Sequence, residues 1–126
     1  MRQQIKTAKA PMPKAPYSQA IISSGRYLFI SGQGPVDPES GNLLGGTFEE
    51  QAIRTFENLK TIAEAAGASL KDFVKVNAYL SDLGNFAEFN EIYRRYFTEP
   101  YPARTTVHSS LVGMMLEVDG IVVLSE

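Results

Sequence analysis

Thr47 opens the most constraining stretch of this 126-residue chain. With Glu50 three positions later it makes a capping box, in which each side chain satisfies a backbone N–H that the first turn of a helix leaves without a partner. Phe48, Ala52, Phe56, Leu59, Ala63 and Ala66 then recur at helical spacing, which predicts a helix with one apolar face. Gly67 suits its C-terminal cap. Such a stripe must be buried against another element, and most of what surrounds it reads as strand. The pattern therefore predicts an α+β fold.

Strands are expected at Gln4 to Thr7, Ser18 to Ser23 and Tyr27 to Ser31, the last two joined as a hairpin through Ser24-Gly25-Arg26. Ala8 to Pro16, with three prolines, reads as a loop. After the long helix, Val74, Val76, Ala78 and Leu80 alternate with Lys75, Asn77 and Tyr79, as in a half-buried strand. Asn85 and Glu88 signal a second helix, with Phe86, Phe89, Tyr93, Tyr96 and Phe97 on its buried stripe. Ala103 to Ser109 and Met115 to Leu124 read as two final strands linked by a turn around Leu111 to Gly113. The order is βββαβαββ, a mixed sheet with two helices on one face. Val118 and Val122 point to one side of the last strand, Ile121 and Val123 to the other. Both faces of the sheet thus need cover, and a second subunit is expected on the face without helices.

The length suits a single domain, residues 1–126. Twelve Lys and Arg oppose fourteen Asp and Glu, a formal charge of -2. The pI near 5.4 argues against nucleic acid as the main partner, since such binders draw affinity from a basic excess. With no cysteine and only one histidine, His108, thiolate chemistry, zinc–thiolate sites and multi-histidine metal sites are outside this chain's reach. No apolar run approaches the ~20 residues of a membrane span, and Met1 to Lys6 lacks the apolar core of a signal peptide. The expectation is a cytoplasmic protein with no membrane partner.

Arg104 and Thr106 share one face of the penultimate strand, and Glu117 and Asp119 share one face of the last. A two-residue hairpin turn would set Thr106 opposite Glu117 and Arg104 opposite Asp119, with Cβ atoms roughly 5 Å apart. An arginine, a hydroxyl and two carboxylates bordered by Ile121 and Val123 would suit a small-molecule site. The plainer reading is an Arg104–Asp119 salt bridge at an interface, and spacing alone favours it slightly. Asn90, on the apolar stripe between Phe89 and Tyr93, needs a partner once buried: it either braces a loop or meets a ligand. Tyr17 reads equally as a loop anchor or a substrate contact. Ser31 could simply bond local backbone, Gly32 suits close backbone approach, and His108 belongs at a solvent edge.

Five segments change the balance: Ala15-Pro16-Tyr17-Ser18-Gln19-Ala20, Phe29-Ile30-Ser31-Gly32-Gln33, Phe89-Asn90-Glu91-Ile92-Tyr93, Pro102-Ala103-Arg104-Thr105-Thr106-Val107 and Leu116-Glu117-Val118-Asp119. In this order and spacing they resemble the RidA family, also called YjgF, the reactive intermediate deaminases. The resemblance implies a chorismate-mutase-like fold (Bacillus type) and a homotrimer with sites between subunits. It also implies hydrolysis of 2-iminobutanoate, 2-iminopropanoate and similar enamine/imine intermediates to a 2-keto acid and ammonia. Arg104 takes the place of the family's carboxylate-binding arginine, Glu117 that of its water-positioning glutamate, and Thr106 that of the residue facing it. Tyr17, Ser31, Gly32 and Asn90 match further pocket positions. No metal and no organic cofactor is implied. Ala15, in place of a usual glycine, would alter the loop carrying Tyr17, and Asp119-Gly120, in place of Glu-Ala, would enlarge the pocket floor.

On that basis Arg104 would fix the imino acid's carboxylate, and Glu117 with Thr106 would hold the attacking water. Two other readings compete with hydrolysis. One is a ligand-binding or regulatory trimer for small keto acids without turnover. The other, an endoribonuclease, has the acidic pI, the lone histidine and the want of a basic aromatic stripe against it.

Overall fold

The computed structural model describes residues 1–125, and the elements follow the expected order. They are β1 (Arg2–Ile5), β2 (Ala20–Ser23), β3 (Arg26–Gln33), α1 (Phe48–Ala65), β4 (Phe73–Leu80), α2 (Phe86–Tyr96), β5 (Ala103–His108) and β6 (Leu116–Leu124). The first strand thus begins two residues ahead of the Gln4 expected from sequence.

α1 starts as its capping box dictates. Thr47 Oγ1 accepts from Glu50 N–H at 3.1 Å, and Glu50 Oε1 accepts from Thr47 N–H at 3.0 Å. The bond from the Thr47 backbone, then that from its side chain, holds the Glu50 carboxyl below the usual carboxylate range. A depressed carboxyl contributes stability above that range, and the contribution is lost as pH falls through the folded-state value. At the other end Gly67 takes φ +81°. Its N–H and that of Ala68 donate back to Glu64 O and Ala63 O, each at 3.0 Å, which closes the helix. α2 begins differently from expectation. Asn85 makes no side-chain cap bond; Asp82 Oδ1 instead accepts from Gly84 N–H at 2.8 Å and caps a 3-10 turn, Leu83–Asn85, that leads into the helix.

Neither expected hairpin forms. β2 pairs antiparallel with β1, from Arg2 opposite Ser23 to Ile5 opposite Ala20, and β3 pairs with β6. β5 and β6 are not neighbours, because β4 lies between them, parallel to β5 and antiparallel to β6. The main sheet therefore runs β3-β6-β4-β5. Burial explains the arrangement: Val76, Ala78 and Leu80 of β4 are 0% exposed and need a central position, while α2 supplies the long crossover that parallel neighbours require.

Both helices cover one face. Phe56 of α1 sits at 5.8, 5.9, 5.2 and 6.1 Å, ring centre to ring centre, from Phe89, Tyr93, Tyr96 and Phe97. Beneath these rings lie Val76, Ala78, Leu116, Val118 and Val122. The opposite face is uncovered in the single chain, with Phe29 73% and Val107 42% exposed beside Tyr27 and Ile121.

Gly120 belongs to the covered face, opposite Ile30 and Val76. A Cβ there would meet Phe73 Cε2 at 2.5 Å and Lys75 O at 3.3 Å, so the space is filled by core and enlarges no pocket floor. Gly120→Ala should accordingly cost about 1–3 kcal/mol through overpacking, read as a lower urea midpoint with an unchanged slope.

Candidate active site

Arg104 reaches the covered face from the edge strand β5 and lies 9% exposed under the start of α2. Its Nη2 donates to Asn90 Oδ1 at 2.7 Å. Its guanidinium carbon stands 4.8 Å from the ring centre of Tyr93, 5.3 Å from Phe89, 5.6 Å from Tyr17 and 6.0 Å from Phe86. The aromatic faces attract the cation, but no carboxylate accompanies it. Among the described residues the ion pairs are Arg95 with Glu49 and with Glu91. Burial pushes the Arg104 guanidinium below its usual value, against the opposing pull of Tyr93 and Tyr17. An arginine remains charged all the same. Its Nη1 is buried without a hydrogen-bond partner, as is Thr106 Oγ1 two residues along the same strand face. Tyr93 OH is a third such atom, so the surroundings of the guanidinium hold hydrogen-bonding capacity that the chain's own side chains do not use. Tyr17, Phe86, Arg104 and Thr106 line a cleft, about 190 Å³ in volume.

Local structure explains how Tyr17 arrives there. Ser18 bridges to Ala103, its N–H donating to Pro102 O at 3.1 Å and its hydroxyl to Tyr101 O. The residue before Ser18 is thereby laid beside the residue after Ala103. Tyr17 N–H also donates to Ala15 O at 2.8 Å. Among the described residues none other than glycine has a positive φ, so Ala15 occupies its turn without the strain that would demand glycine.

Glu117 stands elsewhere. It pairs with Tyr79, and Tyr79 with Val107, which places it on the uncovered face, whereas Thr106 pairs with Ala78 on the covered one. Gly32 is its neighbour: a Cβ on residue 32 would lie 2.5 Å from Glu117 Oε2. The missing side chain leaves room for the carboxylate. Ser31, exposed like Gly32, lies in the irregular stretch between the Ile30 and Gln33 pairings. Asp119 shares Glu117's face and is tied to its own sheet, accepting from Asn77 Nδ2 at 2.8 Å and Tyr79 OH at 3.2 Å. Its charge is the main reason the Tyr79 phenol is pushed up. The Arg104–Asp119 and Thr106–Glu117 pairs expected from a β5–β6 hairpin therefore do not exist within the chain.

The family model described as Endoribonuclease L-PSP matches residues 7–124. The chain belongs to the RidA (YjgF) family. It is 49% identical over 117 residues to a RutC family protein of Pyrococcus abyssi, covering 91% of each. Identity is 37% over 125 residues to the human 2-iminobutanoate/2-iminopropanoate deaminase, covering 98% of this chain and 90% of that protein. The crystal structure of RidA from the Antarctic bacterium Psychrobacter sp. PAMC 21119 superposes with a TM-score of 0.74 at 44% identity, covering 97% and 99% of the two chains. Its fold is the chorismate-mutase-like one.

In this RidA-family chain the residues expected to share one pocket fall into two groups. Tyr17, Asn90, Arg104 and Thr106 come together, while Ser31, Gly32 and Glu117 form a second set across the sheet. Asn90 was expected to brace a loop or meet a ligand; the partner of its Oδ1 is instead Arg104 Nη2, which it orients. Phe86, expected on the buried stripe of α2, is 38% exposed and walls the cleft. Its spacing of four from Asn90, one helical turn, was the available signal. Tyr93, on the same stripe, is core and also lies against the guanidinium. Burial pushes its phenol up, so it stays neutral beside Arg104. His108 is exposed at the end of β5. Among the described residues no group of three or more His, Cys, Asp and Glu is arranged to hold a metal, and no helix is long and apolar enough to cross a membrane.

Proposed function

We propose that this protein hydrolyses the imines of small 2-keto acids, 2-iminobutanoate and 2-iminopropanoate among them, to the keto acid and ammonia. The observation that carries the reading is the unpartnered Arg104 Nη1 beside the unpartnered Thr106 Oγ1 in one cleft. A guanidinium with a free edge suits a carboxylate, and a hydroxyl next to it suits the water or imine at C2. The human deaminase among its relatives supports the same substrate class.

In the reaction, Arg104 binds the carboxylate and Asn90 holds the guanidinium in place. Water adds to the C=N carbon, its oxygen forming the new C–O bond while the π pair moves to nitrogen. Glu117 takes one proton of the water and delivers it to nitrogen, giving the carbinolamine; it then takes the hydroxyl proton and passes it to the amine, so that C=O forms as the C–N bond breaks and ammonia leaves.

Because Arg104 and Glu117 lie on opposite faces of one sheet, the complete set requires Glu117, Gly32 and Ser31 from a second subunit. The uncovered face with Phe29 and Val107 supplies an apolar surface for that contact, and a closed ring of three copies is the assembly this reading takes. Keto-acid release from imines generated in situ, against the spontaneous rate, tests the activity. Mixed assemblies test the site. Arg104→Ala and Glu117→Ala should each be inactive alone, yet co-refolded in equal amounts they should recover about one quarter of wild-type turnover. That is the fraction of subunit contacts in a random ring that join two intact halves. No recovery, with mixed assemblies present by mass spectrometry, refutes the shared site.

The family description names an endoribonuclease, which makes RNA cleavage the second reading. It predicts cleavage of RNA that survives repeated purification and disappears in Arg104→Ala.

A further inference from the structure

Phe86 has a part in this cleft that its place on the helix stripe does not reveal. Of the four lining residues, Arg104 and Thr106 offer the unpartnered polar atoms and Tyr17 carries a phenol. Phe86 alone is wholly apolar. An exposed phenylalanine at the first turn of a helix gains nothing from solvent, yet it is held firmly. Asp82 caps the preceding turn, Asn85 N–H donates to Asp82 O at 3.1 Å, and Phe86 N–H donates to Leu83 O. The backbone carrying the ring is thus pinned over the arginine, with the ring centre 6.0 Å from its guanidinium carbon.

The orientation of a bound imino acid follows. Its carboxylate goes to Arg104 and its C2 lies at Thr106, so the substituent on C2 is left to the apolar walls. Tyr17 forms one wall, fixed through the Ser18–Ala103 bridge, and Phe86 the other. A bulky substituent on C2 would meet the Phe86 ring, the apolar member of the lining. We propose that Phe86 is a specificity-determining residue: it confines the substrate's side chain to aliphatic groups and rejects aromatic ones. The inference rests on the imine reading and adds to it the range of substrates.

Wild type, Phe86→Leu and Phe86→Ala are to be compared on the imines of 2-aminobutanoate, leucine and phenylalanine, generated in situ by an amino-acid oxidase. The ratio of kcat/KM for the phenylalanine imine to that for 2-iminobutanoate should rise at least about 10-fold in Phe86→Ala, with Phe86→Leu between. A ratio within about twofold of wild type would overturn the proposal. Calorimetric affinities for 2-oxobutanoate and phenylpyruvate give a readout free of turnover. Phe86→Ala should narrow the gap between them by a similar factor, and an unchanged gap again overturns it. If wild type bound the keto acids but accelerated no imine's hydrolysis, the deaminase reading would fail while these affinities still decided the role of Phe86.

Discussion

Arg104→Ala should lower kcat/KM for 2-iminopropanoate by about 10³-fold while leaving the protein folded. Losing one partner of a desolvated, hydrogen-bonded charge pair costs 2–5 kcal/mol, and about 4 kcal/mol corresponds to that factor. The substrate carboxylate would enter a cleft walled by Tyr17 and Phe86 and meet no cation in place of Arg104. Arg104→Lys should recover only part of the loss. An ammonium is a point charge without the planar fork, and it cannot both keep the Asn90 bond and lie against the four rings as the guanidinium does. Stability is expected to move the other way, or hardly at all. Arg104 is buried with no carboxylate of its own, and its guanidinium is pushed down by that burial. The free protein therefore bears a desolvation cost that the ligand offsets. Thermal unfolding with and without 2-oxobutanoate separates the two effects. Wild type should gain about 2.7 kcal/mol at a hundredfold excess over Kd, and the alanine variant nothing. A variant that still turns over at the wild-type rate would remove Arg104 from the carboxylate's site.

Phe56→Ala should be the most damaging substitution to the fold, at about 3–5 kcal/mol. The side chain is 0% exposed and packs against the rings of Phe89, Tyr93, Tyr96 and Phe97, so it is the centre of the apolar contact between α1 and α2. Removal leaves a cavity between two helices that already rest on a sheet and have little freedom to close in. Against a total stability of about 5–15 kcal/mol, such a loss takes a large share. Phe56→Leu keeps more of the volume and should fall well short of it. Urea unfolding at fixed protein concentration measures both, since any subunit association adds to the apparent stability. The same substitution also loosens α2, which carries Phe86, Asn90 and Tyr93, so activity should decline ahead of global unfolding.

These two residues differ in how far each could be read from the chain itself. Phe56 was legible as core because its partners along α1 recur every three or four positions, a local pattern that only one face of a helix satisfies. The capping box at Thr47 and Glu50 and the closing Gly67 are local for the same reason: each acts on backbone groups within one turn. The order of elements, the α+β class and the two-sided apolar character of β6 followed from periods of 3.6 and 2 alone. Arg104, Thr106, Tyr17 and Asn90 were recognisable as candidates, but not the fact that Asn90 holds Arg104, because a stripe position does not say what the facing strand carries.

Strand partnership was decided only in three dimensions. Alternating residues fit either neighbour equally well, so β5 and β6 could be paired on paper as a hairpin that placed Arg104, Thr106, Glu117 and Asp119 together. The burial of β4 on its covered face, at Val76, Ala78 and Leu80, forces it between them. The eleven-residue helix α2 between β4 and β5 makes those two strands parallel neighbours. Inserting β4 puts Thr106 in register with Ala78 and Val118, and Glu117 with Tyr79 and Val107. The pleat sends alternate residues to opposite faces. The sequence by itself thus determined which side chains are available for the proposed imine hydrolysis. The tertiary structure decided that one copy of the chain keeps them on two sides of its sheet.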